Sequence, residues 1–190
     1  MTKGMYQYVR QAWKKPDVKT LRERMVKWRK DPVQVKADKP LRIDRARTLG
    51  YKAKKGFCII RIRIKRGGHK RPRPNKGRRS KRLHTRKNLK MNYKWIAETR
   101  VQRKHRNLEV LNSYVIGKDG INYFYEVICV DPAKPEIKND KKLKWITKGK
   151  SKKRALRGLT SAGKKSRGLR SKNPQNKSRP SVRAGKRRGK

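Results

Sequence analysis

Apolar residues along this chain fall into short periodic stretches separated by long polar runs. Val18, Leu21, Met25 and Trp28 recur at three- and four-residue spacing, which predicts a helix over 17–30. Either Asp17 caps it, or Thr20 and Glu23 form a capping box, and Asp31-Pro32 stops it. A shorter helix is expected over 43–48, ending at Gly50. In 57–65 the period changes to two. Ile60, Ile62 and Ile64 alternate with Arg61, Arg63 and Lys65, a strand with one apolar and one cationic face. No acid lies near those cations in the sequence, so a merely solvated face explains them only in part.

Asn92 is placed to cap a helix running to about Arg106, with Tyr93, Ile96, Ala97 and Val101 on one face. The runs 108–116 and 121–130 read as two strands joined through Gly117-Lys118-Asp119-Gly120, a hairpin that Asp131-Pro132 ends. The stretch 141–145 is expected to add a short strand or to dock Trp145 on the core. Trp28, Trp95 and Trp145 are assigned to the core, and Trp13, beside Lys14 and Lys15, is left open. The pattern therefore predicts an α+β fold: a small antiparallel sheet with flanking helices, plus a long basic loop and an extended basic C-terminal tail. The division expected is an α+β core over 1–147, with a basic extension at 67–90, and a basic tail over 148–190. The tail lacks aromatic residues altogether and holds few aliphatics, so burial is not expected to offset its ordering entropy.

Charge changes the picture more than any motif. Lys and Arg number 62 against 12 Asp and Glu, a formal net charge of +50. Solubility needs only a few charges, and such an excess makes a compact chain repel itself. The chain calls for a polyanion. The charge is also laid down in blocks. Residues 45–97 hold 21 Lys and Arg and no acid, and 141–190 hold another 21 and no acid. Single-sign blocks read as interaction arms, and the turn-rich run over 67–90 reads as an arm ordered only when bound. Arg suits phosphate forks and base stacking better than Lys. The candidate RNA-binding residues are Arg45, Arg47, Lys52, Lys54, Lys55, Arg61, Arg63, Lys65, Arg66, His69, Lys70, Arg71, Arg73, Arg78, Arg79, Lys81 and Arg82 in the first block. In the second they are Arg154, Arg157, Lys164, Lys165, Arg167 and Arg170.

Other chemistry finds little support. The run from Gly158 to Lys165 matches a nucleotide-binding P-loop for seven positions, then places Lys165 where Ser or Thr would hold magnesium. Cys58 and Cys129, far apart in sequence, read as buried thiols, and the three histidines lack partners at ligand spacing. The scarce acids sit at caps and turns, so no hydrolytic constellation stands out. No apolar run approaches a membrane span. A DNA-compacting protein would share the charge, but this chain has one mixed core with two unlike arms rather than repeated basic elements.

Five segments in order carry a resemblance: Arg45 to Lys55 (RARTLGYKAK with its final Lys), Ile60 to Gly68 followed by Lys70-Arg71-Pro72, Leu108 to Tyr114, Val130-Asp131-Pro132, and Arg157 to Leu169. Together they resemble the large-subunit ribosomal protein L-fifteen-e family of archaea and eukaryotes. The resemblance implies a structural, non-catalytic constituent of the large subunit in cytoplasmic ribosomes. It implies large-subunit rRNA and neighbouring ribosomal proteins as partners, with no membrane and no homo-oligomer. It implies no cofactor, only the Mg and monovalent ions that accompany the rRNA.

Overall fold

A computed structural model describes residues 4–70 and 86–170. The side chains at Lys70, Arg86 and Lys87 and the candidates Arg71, Arg73, Arg78, Arg79, Lys81 and Arg82 lie outside that description.

The framework is a four-stranded antiparallel sheet in the order β1-β2-β6-β5, formed by β1 (Gln34–Ala37), β2 (Phe57–Lys65), β5 (Glu109–Lys118) and β6 (Asn122–Val130). Strand β2 pairs along its whole length with β6, from Phe57 opposite Val130 to Lys65 opposite Asn122. A two-stranded ribbon, β3 (His69–Lys70) with β4 (Arg86–Lys87), closes the root of the basic loop. The hairpin turn between β5 and β6 is fixed by Asp119, whose carboxylate accepts the Ile121 N–H at 2.8 Å and also that of Asn122.

Both faces of the sheet are buried. On one, Ile60, Ile62, Ile64, Tyr125, Val127 and Cys129 pack under helix α4 (Tyr93–Lys104) through Ala97 and Val101. On the other, Ile59, Tyr114, Phe124 and Ile128 pack with Trp28 of α2 (Val18–Lys30) and Ala46 of α3 (Ile43–Thr48). The expected cationic face of β2 is therefore partly covered at Arg61 and Arg63 and open at Lys65. Arg61 pairs with Asp31 and lies 5.6 Å over the Trp28 ring, while Arg63 donates to the Arg29 carbonyl. The acid that accompanies Arg61 comes from another element, so neighbouring sequence could not reveal it.

Most expected elements appear where the periodicity placed them: α2, α3, β2, α4 and the β5–β6 hairpin. At α2, Asp17 accepts from the Thr20 N–H at 2.8 Å and hydroxyl at 2.7 Å, which settles the cap in its favour. Asn92 caps α4 by accepting the Trp95 N–H at 2.8 Å. Gly50 ends α3 with a φ of 99°, a conformation costly for side-chain-bearing residues. Two elements ahead of β2 lie outside the predicted ones. One is α1 (Met5–Lys14), which lies on α3 with Arg42 5.2 Å over Trp13 and Arg47 5.6 Å over Tyr6. The other is the short edge strand β1.

Two expectations fail. The stretch after Asp140 forms α6 (Lys144–Thr147) rather than a strand, after the single turn α5 (Pro135–Lys138). Within α6 Trp145 is 39% exposed, its ring covered by the Arg154 guanidinium at 5.0 Å instead of by core aliphatics. The other concerns 149–170, assigned to the tail by composition. This segment holds a 3-10 turn (Gly149–Ser151) and α7 (Ser161–Ser166) and packs on α4 and β5, with Ala155, Thr160 and Ala162 buried. It is held by polar contacts and close backbone approach more than by apolar area, so a count of aliphatics missed it. Trp95, which is half-buried, donates its indole N–H to the Ala155 carbonyl at 2.7 Å.

Candidate nucleic-acid interface

The acids are used inside the fold. Glu98 is fully buried and accepts the hydroxyls of Ser113 at 2.6 Å and Thr160 at 2.5 Å. Burial raises its pKa against those hydrogen bonds. Glu126, at the centre of β6, accepts from the Tyr114 hydroxyl at 2.5 Å and the Leu41 N–H at 3.1 Å, and burial likewise raises its pKa. Glu109 accepts the Lys153 N–H at 2.8 Å. Asp140 takes Lys52 at 2.6 Å and Lys54 at 2.7 Å, and these hydrogen bonds hold its carboxyl well below the usual range. Among the described residues, only the acids Asp17, Glu23 and Asp38 are exposed. The surface is thus even more one-sidedly cationic than the composition.

The candidate cations divide accordingly. Arg45, Arg47, Lys55, Lys65, Arg66, His69, Arg157, Lys164, Lys165 and Arg170 are exposed residues. Of these, Arg66 also donates to the Asp119 carbonyl at 2.8 Å, and Arg157 donates to the Lys150 carbonyl. Lys52 and Lys54 are tied to Asp140, and Arg61 and Arg63 are drawn toward α2 and its C-terminal end. Arg167 donates to the Gly158 carbonyl at 3.3 Å. Arg154 is a structural residue: its Nη1 donates to the Val110 and Leu111 carbonyls at 2.7 and 2.8 Å, beside the bulge in β5.

One group of cations converges from separate elements. Lys94, at the start of α4, is half-buried, and burial together with the fields of Arg45, Lys165 and Arg170 lowers its pKa, while Glu98 raises it. Three elements and the chain after α7 therefore direct positive charge at one place. The root of the basic loop is tied to the start of α4, where the Gly67 N–H donates to the Tyr93 hydroxyl at 2.8 Å. Sequence reasoning missed Lys94. Its signal was a lone cation beside the expected apolar face of a helix, in a chain where such cations are everywhere.

The glycines of the P-loop-like run have another explanation. Gly158 has a φ of 67°, and a Cβ added at Gly163 would lie 2.6 Å from the Gly158 Cα. The chain folds back on itself there with backbone touching backbone. Thr160 caps α7 by accepting the Gly163 N–H at 3.1 Å. The spacing serves a turn, with no strand ahead of it of the kind a P-loop requires. No helix among the described residues is long and apolar enough to cross a membrane.

An α+β core with its acids turned inward, its cations turned outward and a basic loop rooted beside them suits a component of a nucleoprotein particle. The family model described as Ribosomal L15 matches residues 4–185, and the chain belongs to that family, the L-fifteen-e proteins of the large ribosomal subunit, which are structural proteins rather than enzymes.

Proposed function

We propose that this chain is a structural constituent of the large subunit that binds and stabilises large-subunit rRNA, of the archaeal and eukaryotic type, in cytoplasmic ribosomes. The observation that carries the reading is the one-sided surface: Arg45, Arg47, Lys55, Lys65, Lys164, Lys165 and Arg170 are exposed, while among the described residues the only exposed acids are Asp17, Glu23 and Asp38. Phosphates placed there gain from several cations at once and release condensed counterions. Lys164, also exposed, adds to the charge of Lys165 and Arg170. Such interactions fix position and orientation, and recognition comes from RNA shape rather than base reading. The protein needs no cofactor of its own, and its further partners are neighbouring ribosomal proteins.

The test is binding of the full chain to a large-subunit rRNA fragment over a salt series. Arg45→Gln, Lys165→Gln and Arg170→Gln together alter only exposed residues. They are expected to flatten the slope of log K against log salt by about 0.7 to 0.9 for each phosphate the variant no longer neutralises. An unchanged slope, or equal affinity for duplex DNA of the same length, would overturn the reading.

A further inference from the structure

A cleft of about 450 Å³ lies between α2 and the tip of the β5–β6 hairpin. Its lining is aliphatic at Val18, Leu21 and Met25, with the exposed cations Arg22 and Lys118 beside them. The far wall is closed by the Arg29–Asp119 ion pair at 2.9 Å, so Asp119 is already matched and leaves the rim cationic. Val18 is 69% exposed, and Ile121 at the hairpin tip is 64% exposed.

We propose that this cleft docks an extended segment of a neighbouring protein that inserts an aliphatic side chain and sets carboxylates against Arg22 and Lys118. The placement within a large subunit rests on the function proposed above. Three observations select this occupant. Among the described residues the lining holds no aromatic ring on which a nucleobase could stack, and its aliphatic part offers nothing to a phosphate. A volume of about 450 Å³ has room for several aliphatic side chains of an extended segment. The rim is positive, which disfavours this chain's own acid-free segments at 45–97 and 141–190 and equally a second copy with net charge +50.

The test places a photo-crosslinking residue in the full chain, Val18→p-benzoylphenylalanine, expressed in cells and read in purified large subunits. A parallel reporter at Lys165→p-benzoylphenylalanine serves the rRNA reading. The expected result is a Val18 crosslink to a ribosomal-protein peptide carrying Leu, Ile, Val or Met within two residues of Asp or Glu, while the Lys165 reporter crosslinks to rRNA. The exposed rim variant Arg22→Glu should lower the Val18 crosslink yield roughly tenfold, as expected when an attractive rim charge becomes repulsive. A Val18 crosslink to rRNA, to another copy of this chain, to a protein segment without acids, or to nothing overturns the proposal. If the Lys165 reporter meets no RNA while Val18 meets an acidic peptide, the rRNA reading falls and the docking site stands.

Discussion

Replacing Gly163 with Ala tests whether 149–170 truly belongs to the fold. An added Cβ would sit 2.6 Å from Cα, 2.7 Å from the carbonyl carbon and 2.9 Å from the carbonyl oxygen of Gly158. Carbon pairs rest at about 3.5–4.0 Å, so the two backbones must part by close to 1 Å. Neither neighbour is a flexible side chain that can swing away. Overpacking of this kind costs about 1–3 kcal/mol. Parting the backbones also strains the Thr160 cap, whose loss is worth about 1 kcal/mol, and drags Thr160 from Glu98. The helical preference of Ala over Gly returns at most about 1 kcal/mol. The net is a destabilisation of roughly 1–3 kcal/mol, or about 2–4 °C of melting temperature for each kcal/mol in a chain of this size. Thermal unfolding followed through tryptophan fluorescence is the assay, because Trp95 touches this turn. Gly149→Ala is the control: nothing lies within 4 Å of its added Cβ, and its effect should stay within about 0.5 kcal/mol. A Gly163→Ala protein that melts with or above the parent would refute the back-to-back turn.

Arg154→Met should cost about 2 kcal/mol, since it strips a charged donor from the Val110 and Leu111 carbonyls; chemical denaturation measures it, and a neutral result would make Arg154 a cation free to meet RNA. Stability should also depend on pH through the buried carboxylates. Burial raises the folded-state pKa of Glu98 and Glu126 above 4.5, so their favourable contribution is complete below that pH and is lost as pH rises through the raised values. Asp140 acts oppositely, contributing above 3.8 and losing its contribution as pH falls. The melting temperature should therefore decline from about pH 4.5 toward neutrality, and Glu98→Gln with Glu126→Gln should flatten the decline; a rise over that interval contradicts the assignment. Cys58 and Cys129 face each other in register as free thiols, and burial pushes the Cys129 thiol well up. A thiol reagent should modify half-buried Cys58 slowly and Cys129 only on unfolding, and equal rates would be inconsistent with that burial. Finally, added salt should raise the melting temperature of the free chain by screening its cations, while weakening its binding to RNA; a free chain that melts lower in salt contradicts the repulsion argument.

Periodicity disclosed the elements whose apolar faces are long and regular. The strand of Ile60, Ile62 and Ile64 carries three core residues at one spacing, and the helix of Leu21, Met25 and Trp28 buries Trp28 with Met25 packed beside it. Helix α1 was legible in principle, since Tyr6, Val9 and Trp13 share a face, but lysines and arginines dilute the pattern. Strand β1 has four residues and one exposed lysine, too little for a period-two signal. The segment 149–170 was opaque for a physical reason: Thr160, Arg154 and paired glycines hold it, and each reads in sequence as a feature of a disordered tail. The family segments Arg45 to Lys55 and Arg157 to Leu169 were legible as motifs before their purpose was. In the fold they supply α3 and the turn into α7, which carry Arg45 and Lys165 to Lys94. Lys94 escaped notice because convergence on one point is a property of three-dimensional packing.

The placement of charge ties stability to the partner. The fold consumes its carboxylates to anchor its own backbone: Glu98 holds α7, Glu126 holds the chain before α3, and Asp140 holds the turn after α3. Each carboxylate used this way leaves outward cations without local neutralisation. At half-buried Lys94, burial first and then the fields of Arg45, Lys165 and Arg170 disfavour the ammonium form, against the opposing field of Glu98. A phosphate at that point removes a repulsion the protein maintains alone, so binding energy and folding energy share one source. A ligand that binds only the folded state at a thousandfold above its dissociation constant adds about 4 kcal/mol to stability, a large part of what a small domain possesses. On the proposed reading, the surface whose cations repel one another in the free chain is the one a bound polyanion stabilises most, which is how a compact core would tolerate a net charge of +50.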